Sequence, residues 1–430
     1  MHGARRVAVV GGGWAGLAAA VQCARQGQHV HLYEMAAQLG GRARSVQVGA
    51  RLLDNGQHLL IGAYTDTLSL LADLGVSQDA AFLRTPLALC DAGGRGLRLR
   101  AGRPAPAFAG AVLRLAHWPW RTRLALLAGA AGWAMRGFRC DPALTVDALT
   151  AGWPHAVRDE LIEPLCAAAL NTPASQASAT VFLRVLHDAL LSGAGCADLM
   201  LPRQGLSRLL PDAARAHLAR AGAVVSLQHR VGTLSAHGTD WRLDDALYDQ
   251  VILAASPAEA ARLVEPIEPT WSACARALRF EPIVTVYLHS AGARLSAPML
   301  ALRSGPQAPA QFVFDRGQLG DEPGLLAFVV SAAQPWVDRG APATAQATLA
   351  QAHAALGPHL GDTPQVVHTL TEKRATFACT PGLNRPAARI APGLYCAGDF
   401  VAGPYPATLE GAVRSGLGAA ALVAADTPRN

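Results

Sequence analysis

The pattern of apolar and polar positions predicts a chain in which strands and helices alternate. Residues 6–34 show the pattern of a strand, a glycine-rich turn, a helix and a second strand. The other predicted strands cover residues 51–60, 223–227, 251–255, 280–290, 324–332 and 393–398, and the other predicted helices cover residues 65–75, 206–221 and 406–425. Residues 84–200 are predicted to be mostly helical or irregular, because prolines interrupt the pattern repeatedly.

Length and cysteine usage narrow the class of protein. The chain has 430 residues, which suits two domains better than one. Its longest uncharged apolar run, Leu124 to Met135, is shorter than the roughly 18 residues of a membrane-spanning helix. The cysteines form no C-x-x-C pair and no histidine cluster has zinc spacing, so no metal is expected and reduced thiols in the cytoplasm are the expected state. Arg5 and Arg6 precede a stretch that contains three glycines, which we interpret as the start of the fold rather than a signal peptide.

The first chemical motif is the glycine-rich turn of residues 11–16, which reads G-x-G-x-x-G. In such a turn, Gly11 permits the tight bend, Gly13 lets the backbone approach a pyrophosphate, and Gly16 lets the next helix pack closely on the strand. The free N–H groups at the start of that helix favour phosphate. Glu34 ends the second predicted strand, where its carboxylate can accept hydrogen bonds from both ribose hydroxyls and disfavours NADP. These features predict a site for the ADP part of a dinucleotide.

Two further motifs indicate FAD rather than NAD. Residues 39–44, Leu-Gly-Gly-Arg-Ala-Arg, resemble the extended fingerprint of the glutathione-reductase-like FAD proteins, a family that includes flavin amine oxidases and phytoene desaturases. Near the C-terminus, a predicted strand ends in Gly398-Asp399, and a helix begins close to Thr408. The resemblance implies that Arg42 neutralises phosphate or reaches the flavin edge and that Asp399 contacts the ribityl chain or pyrophosphate. A helix N-terminus at the flavin pyrimidine ring would stabilise negative charge there.

The resemblance also implies non-covalent FAD, because no cysteine matches the covalent attachment of monoamine oxidases. Val231 fits the segment that contacts adenine through its backbone. The residues predicted to bind FAD are Gly11, Gly13, Trp14, Ala15, Gly16, Glu34, Gly41, Arg42, Gly56, Gln57, His58, Val231, Gly398, Asp399, Thr408 and Leu409.

The implied fold is α/β: a glutathione-reductase-like Rossmann FAD-binding domain with an inserted α+β substrate domain. Since the nucleotide motifs lie near both ends of the chain, each domain is predicted to consist of separate segments. The FAD-binding domain is predicted to contain residues 1–78, 202–264 and 387–430. The substrate domain is predicted to contain residues 79–201, which are mostly helical, and residues 265–386.

A narrower resemblance concerns the reaction. Residues 54–58, Asp-Asn-Gly-Gln-His, look like the D-x-G-x-H segment of carotenoid-type desaturases. More narrowly, they resemble the hydroxysqualene dehydroxylases of bacterial hopanoid synthesis, also called squalene-associated FAD-dependent desaturases. The strings at residues 169–173, 201–207 and 372–377 agree, and the resemblance covers nearly the whole chain. It implies an enzyme that replaces the hydroxyl of a C30 allylic alcohol with hydrogen to give squalene.

This reaction has physical requirements that the chain should meet. Departure of an allylic hydroxyl, assisted by a proton donor, leaves a delocalised cation to which reduced flavin can deliver hydride. Water would trap the cation, so an apolar tunnel is expected. The candidate proton donors are His58, Glu372 and Lys373; a structural role for His58 is equally consistent with the sequence. Lys373 is the only lysine in the chain and is also a candidate for holding a water at the flavin.

Three other functions stay open at the level of sequence. A carotenoid or phytoene desaturase would remove hydrogen from an isoprenoid. A flavin amine oxidase would need an aromatic cage at the flavin, and Tyr405 fits one side of such a cage without a clear partner. A flavin-binding chaperone or scaffold would bind FAD and turn over no isoprenoid.

Charge is concentrated in one segment. The formal net charge is +6, yet residues 84–139 contain ten arginines and one acid, Asp91, so the rest of the chain is net acidic. The aromatic residues of this segment are Phe108, Trp118, Trp120, Trp133 and Phe138. Arginine with tryptophan on an apolar surface is typical of an interfacial membrane anchor.

We therefore predict that residues 105–138 dock on a membrane, from which a C30 hydrocarbon could reach the protein without crossing water. A buried helical subdomain with solvated arginines is an equally consistent interpretation. No nucleic-acid partner is expected, because no nucleic-acid motif is present. The expected location is the cytoplasm, with docking on the inner face of the cytoplasmic membrane as a hypothesis.

Overall fold

The structure is a computed structural model that describes residues 4–426. Its strands, β1 to β21 in chain order, are Arg6–Val10, His29–Tyr33, Ser45–Val48, Arg51–Asp54, Leu60–Ile61, Phe82–Thr85, Ala88–Cys90, Gly96–Arg98, Leu199–Pro202, Val224–Ser226, Leu234–His237, Asp240–Leu243, Ala246–Tyr248, Gln250–Leu253, Phe280–His289, Met299–Ala301, Phe312–Asp315, Leu325–Val330, Gln365–Phe377, Arg389–Ala391 and Leu394–Cys396. Its α-helices, α1 to α15, are Trp14–Arg25, Thr65–Asp73, Gln78–Ala81, Pro104–Leu113, Trp120–Met135, Val146–Leu149, His155–Val157, Glu163–Leu170, Ala179–Leu191, Leu206–Arg220, Pro257–Val264, Pro269–Arg276, Gln334–Arg339, Ala341–Leu356 and Leu409–Ala425.

A six-stranded sheet carries the glycine-rich turn. Its strands lie in the order β10-β2-β1-β14-β21-β20, and all neighbours are parallel except β20 and β21. Parallel neighbours need a crossover connection, which α1 provides between β1 and β2. The other strands come from residues 224–253 and 389–396, so three distant parts of the chain build one sheet.

Both faces of this sheet are covered, because side chains alternate along β1. Val7 and Val9 pack in a core with α1, α10 and α15, while Ala8 and Val10 pack in a second core with α11 and α12. Helices α1 and α15 approach each other closely at Gly416, where a Cβ atom would lie 2.2 Å from the Ala15 carbonyl oxygen. This contact explains why a glycine stands in the middle of an apolar helix.

A five-stranded antiparallel sheet forms a second layer. Its order is β16-β17-β18-β15-β19. The sequence predicts β15 and β18, which are strongly apolar. It does not predict β19, residues 365–377, or the helix α14. Strand β19 lies at the edge of the sheet and alternates polar and apolar residues only loosely, so its pairing with β15 defines it.

Residues 79–201 contribute mainly helices, as predicted, together with short strands that the sequence pattern does not reveal. Strands β6 and β9 pair with each other, and β7 pairs with β8. The helices α4, α5, α8 and α9 share one apolar core. Within residues 4–426, none of the helices combines the length and apolar character that crossing a bilayer requires. The same residues contain no group of three or more acidic, cysteine or histidine side chains arranged to hold a metal ion.

The strands of the parallel sheet fall inside the three segments predicted for the FAD-binding domain, and the five-stranded sheet falls inside residues 265–386. The exact domain boundaries stay a prediction.

Candidate active site

The glycine-rich turn forms a close junction between strand and helix. Gly11 has φ +114°, and a Cβ atom there would lie 2.4 Å from the Ala254 carbonyl oxygen. A Cβ atom on Gly16 would lie 1.9 Å from the Gly11 carbonyl oxygen. Gly13 precedes the first turn of α1, and only the Gly41 Cα atom comes within 4 Å of its Cβ position. The turn therefore leaves room for a pyrophosphate at the N–H groups that begin α1 and have no acceptor within the helix.

Glu34 lies beside this turn and is nearly buried. Both the turn and Glu34 line one large cavity. One carboxylate oxygen accepts a hydrogen bond from the Gly12 N–H at 2.7 Å, and the other accepts one from the Ala36 N–H at 2.7 Å. A carboxylate has about four acceptor positions, so two remain for ribose hydroxyls. The backbone thus fixes the carboxylate in an orientation suited to the adenosine ribose.

Arg42 and Asp399 meet although 357 positions separate them in the chain. An Arg42 guanidinium nitrogen lies 2.6 Å from an Asp399 carboxylate oxygen, and a second nitrogen donates to the Ala375 carbonyl oxygen. Close by, Thr408 caps α15 by accepting a hydrogen bond from the Gly411 N–H at 2.9 Å. Leu409, Gly398 and Thr408 line the cavity. A guanidinium, a carboxylate and a helix N-terminus therefore converge where the sequence places the flavin end of FAD.

The segment 54–58 joins the glycine turn, Glu34 and the Arg42–Asp399 pair, together called the dinucleotide cradle, to the five-stranded sheet. Gln57 donates to the Tyr287 hydroxyl at 2.8 Å and accepts from Arg316 at 3.2 Å. Asn55 donates to one Glu372 carboxylate oxygen at 3.2 Å. His58 and Glu372 line the same cavity. The structure therefore brings these two candidate residues together with Arg42.

Burial is the main cause that lowers the pKa of His58 to about 4, and the nearby charge of Arg42 acts in the same direction. At neutral pH the imidazole is therefore uncharged. It can donate or accept a hydrogen bond, but it is a poor source of a proton.

The lowered pKa of His58 predicts a stability change with pH. The unfolded chain protonates this histidine near pH 6.5, whereas the folded protein does so only near pH 4. Stability is therefore fully present above about pH 6.5 and falls as the pH drops towards 4, because the unfolded state binds the proton first. Thermal unfolding of the protein and of His58→Gln should show a smaller acid-induced drop for the variant. Equal pH dependence in both proteins would contradict the prediction.

The structure places Lys373 outside the cavity. Successive side chains of a strand point to opposite faces, so Glu372 faces the cavity while Lys373 is exposed on the other side of β19. A direct role for Lys373 as the proton donor or as a water ligand at the flavin does not fit this arrangement. Val231 does line the cavity, and it lies in an irregular segment two residues after His229, whose N–H donates to the Glu34 carbonyl oxygen at 2.9 Å.

Beyond the cradle, the cavity becomes apolar. Its volume is about 850 Å³, within the range of small-molecule sites. Helices of residues 79–201 supply one part of the lining, including Phe108, Leu126, Leu127, Leu161, Ile162, Leu165, Val185 and Leu186. The five-stranded sheet supplies another part, including Ile283, Met299, Phe312, Phe314, Val329 and Leu370. The cavity is therefore continuous from the dinucleotide turn to a wall of aliphatic and aromatic side chains.

Sequence reasoning assigned no site role to two polar residues of the cavity, Asn171 and Asp188. Asn171 adopts a left-handed backbone, φ 47°, and its amide donates to Thr376 at 2.9 Å and to the Glu281 carbonyl oxygen at 3.2 Å. It also accepts from the Ala332 N–H at 2.7 Å. Asn171 thus ties the end of α8 to the five-stranded sheet. Asp188, on α9, is buried and lines the cavity; its signal in the sequence is an acid on an otherwise apolar helix face.

Tyr405 has a partner that the sequence does not indicate. The Tyr64 and Tyr405 rings lie 6.0 Å apart at an interplanar angle of 78°. The two rings are therefore edge to face and do not form two facing walls of a cage.

The cavity lining includes no cysteine among residues 4–426.

Comparison with known proteins defines the class. Residues 14–424 match the family model of the flavin containing amine oxidoreductases, and the chain belongs to this family. It is an FAD-dependent oxidoreductase, and the glycine turn, Glu34 and the Arg42–Asp399 pair suit FAD held without a covalent bond.

More specific relatives match over almost their whole length. The chain is 31% identical to the hydroxysqualene dehydroxylase of Rhodopseudomonas palustris, covering 98% of this chain and 99% of that relative. It is 30% identical to the hydroxysqualene dehydroxylase of Sinorhizobium fredii, with 98% and 99% covered.

Among solved structures, an oxidoreductase from Methanosarcina mazei matches with a TM-score of 0.73 at 14% identity, covering 96% of this chain and 99% of that one. Cyclohexylamine oxidase from Brevibacterium oxydans matches with a TM-score of 0.69 at 18% identity, covering 99% and 100%. These structures support the predicted α/β fold and, at such identities, the fold alone.

Proposed function

We propose that this protein removes the hydroxyl group of hydroxysqualene to give squalene, using reduced FAD. The observation that carries the proposal is the single cavity that joins a dinucleotide cradle to a long apolar wall. The names of its full-length relatives supply the substrate. A C30 hydrocarbon chain with one hydroxyl suits a cavity that is mostly apolar and has few polar groups.

In the proposed reaction, the apolar and the polar residues that line the cavity have different roles. Bound in its reduced form, FAD would supply the hydride that replaces the hydroxyl. The apolar wall excludes water, which would otherwise recombine with an allylic cation. Glu372 lines the cavity and lies near enough to Arg42 for their charges to interact. Glu372 can therefore stabilise positive charge on the substrate, and neutral His58 can hydrogen-bond the substrate oxygen.

The direct test uses the purified protein loaded with FAD. The flavin is reduced with dithionite in the absence of oxygen, and hydroxysqualene is added. The products are then separated by chromatography and identified by mass spectrometry. We expect squalene to form as the flavin is reoxidised. Oxidised protein that instead dehydrogenates an isoprenoid would identify a desaturase, and formation of neither product would overturn the proposal. Dithionite takes the place of the cellular electron donor that reduces the flavin.

We also propose that the protein docks on a membrane surface through residues 105–138. Helix α5 carries an apolar stripe at helical spacing, made of Trp120, Leu124, Ala128, Ala131 and Met135, and all five side chains are exposed. Ala131 also lines the cavity, which indicates that the stripe borders an opening. A substrate could therefore pass from lipid into the cavity.

The structure corrects the composition of this surface. Trp118 and Trp133 are buried rather than exposed: the Trp118 indole donates to Glu160 at 2.9 Å, and Trp133 stacks on Trp153 at 4.5 Å. Exposed arginines of the segment, including Arg121 and Arg136, flank the stripe in sequence and suit anionic headgroups.

The docking proposal predicts the behaviour of two matched variants. Trp120→Glu combined with Leu124→Glu should weaken binding to vesicles by at least about tenfold, because each large apolar side chain is worth about 1.5–3 kcal/mol on burial. Leu52→Glu is the control, since Leu52 is similarly exposed but lies on β4. Vesicle flotation with neutral and with anionic lipid measures the effect. An unchanged double variant, or a wild-type protein that binds neither vesicle, would reject the proposal.

A further inference from the structure

The proposed dehydroxylation needs a proton inside the cavity, because hydroxide is a poor leaving group. None of the groups predicted from the sequence is well placed to give one. His58 is neutral, Glu372 accepts hydrogen bonds, within the described part of the chain, only from the Asn55 amide and the Arg374 N–H, neither of which can relay a proton, and Lys373 is outside the cavity. A different set of residues, on α9 and just before α15, connects the cavity to solvent.

Asp188 is the central residue of this set. Its side chain is only 4% exposed, and it lines the cavity. One carboxylate oxygen lies 2.8 Å from His187 Nδ1, and the other accepts a hydrogen bond from Arg184 Nε at 2.7 Å. The Tyr405 hydroxyl interacts with the same carboxylate. Burial by itself raises the pKa of Asp188, but these hydrogen bonds outweigh it and hold the pKa below the usual value.

Tyr405 is held in a fixed position at the cavity wall. Two guanidinium groups pack near its ring, with Arg184 at 5.8 Å and Arg414 at 4.7 Å from the ring centre. Its backbone is left-handed, φ 57°, and its carbonyl oxygen accepts a hydrogen bond from the Thr408 hydroxyl that caps α15. The Tyr405 side chain is therefore held at the cavity wall, close in the chain to the start of α15.

His187 connects this pair to the outside. Its side chain is 43% exposed, whereas Asp188, one residue further along α9, is buried. An imidazole with one nitrogen in solvent and the other on a buried carboxylate can take up a proton from water and pass it inwards. The order from solvent to cavity is His187, Asp188 and Tyr405.

We propose that His187, Asp188 and Tyr405 form a proton relay that protonates the leaving hydroxyl of the substrate; this inference rests on the proposed function. The protonated imidazole of His187 transfers a proton to Asp188. The Asp188 carboxyl group then gives its proton to the Tyr405 oxygen as Tyr405 gives its own proton to the substrate hydroxyl. The C–O bond breaks with its electron pair on oxygen, water leaves, and an allylic cation remains for hydride addition. Water returns one proton to His187, which restores the relay.

Other charges face the relay from each packed element. Arg184 lies on α9 with His187 and Asp188, and Arg414 faces Tyr405 from α15. Arg414 is itself paired with Glu410 at 2.8 Å and with Asp66 at 3.2 Å. These ion pairs fix the arginines in place.

The first test removes the solvent end of the relay. FAD-loaded, dithionite-reduced His187→Ala is mixed with hydroxysqualene, and squalene formation is followed in a single turnover from about pH 6 to about pH 9. We expect roughly 10- to 100-fold slower formation than in the wild type, with recovery on addition of imidazole. His353→Ala is the control, because His353 is exposed on α14 and lies outside the cavity. It should match the wild type at every pH.

The second test removes the cavity end. Tyr405→Phe keeps the ring against its two arginines and loses only the hydroxyl, so FAD content should stay unchanged. We expect slow squalene formation that imidazole does not restore, because the missing step lies beyond His187. Loss of rate with rising pH in the wild type, absent in His187→Ala, would support the relay.

The outcomes separate the relay from the reaction itself. If the wild type forms squalene and both His187→Ala and Tyr405→Phe match it, the relay is overturned and the proposed function stands. If His187→Ala is slow but imidazole has no effect at any pH, the relay is also overturned, because a structural defect explains the loss. If the wild type forms no squalene, the relay falls together with the reaction.

Discussion

Replacement of Glu34 by glutamine is expected to leave the purified protein largely without FAD. Both carboxylate oxygens are fixed by backbone N–H groups, and their remaining positions face the cavity. The amide loses the negative charge and one acceptor oxygen. Hydrogen bonds to a charged group contribute about 1.5–3 kcal/mol each. The loss of one such bond to ribose would therefore weaken FAD binding by roughly 10- to 100-fold.

The measurement is the ratio of flavin to protein absorbance after purification, followed by titration of the apoprotein with FAD. Glu268→Gln is the matched control, because Glu268 is exposed and lies outside the cavity. A Glu34→Gln protein that retains FAD as tightly as the control would show that this carboxylate does not bind the ribose.

The second large effect is expected at Glu372. Glu372→Gln keeps the size of the side chain and removes its charge, so the developing allylic cation loses its nearest proposed counter-charge. Removing one such preorganised electrostatic contact slows catalysis by roughly 100- to 1000-fold in other enzymes. Single-turnover squalene formation should fall accordingly, while FAD content stays unchanged because Glu372 is not part of the ribose or phosphate cradle.

Lys373→Gln is the control for this variant. Lys373 is the next residue of the same strand and points away from the cavity, so its rate should stay close to that of the wild type. A large loss in Lys373→Gln with full activity in Glu372→Gln would reverse the assignment and restore the lysine as the catalytic candidate.

The nucleotide site could be predicted from the sequence because its residues are close together in the chain. A turn that needs positive φ at Gly11 and no Cβ at Gly16 leaves few alternatives to glycine, and Glu34 follows at the end of the next strand. The apolar strands β1, β2, β14, β15 and β18 were predictable for a similar reason, since burial on a sheet leaves a local pattern. The edge strand β19 has no such pattern.

The substrate side of the cavity depends on contacts that no local pattern encodes. Helical or strand periodicity gives no information on which face of an element will meet the cavity. For this reason the sequence suggested Lys373 together with Glu372, although the fold leaves Lys373 exposed. The sequence likewise grouped Trp118 and Trp133 with Trp120, although the fold buries the first two and exposes the third. Asp188 and Tyr405 stand more than 200 positions apart, and only the packing of α9 beside the start of α15 brings them together.

By itself, the sequence determined that the chain binds a dinucleotide at a glycine turn, because sterics and hydrogen bonding there act over a few neighbouring residues. The tertiary structure decided which titratable groups face the cavity, which are neutral, and where an apolar stripe reaches solvent. Those properties depend on burial and on partners from distant segments, such as Arg42 with Asp399, and burial exists only once the segments have packed.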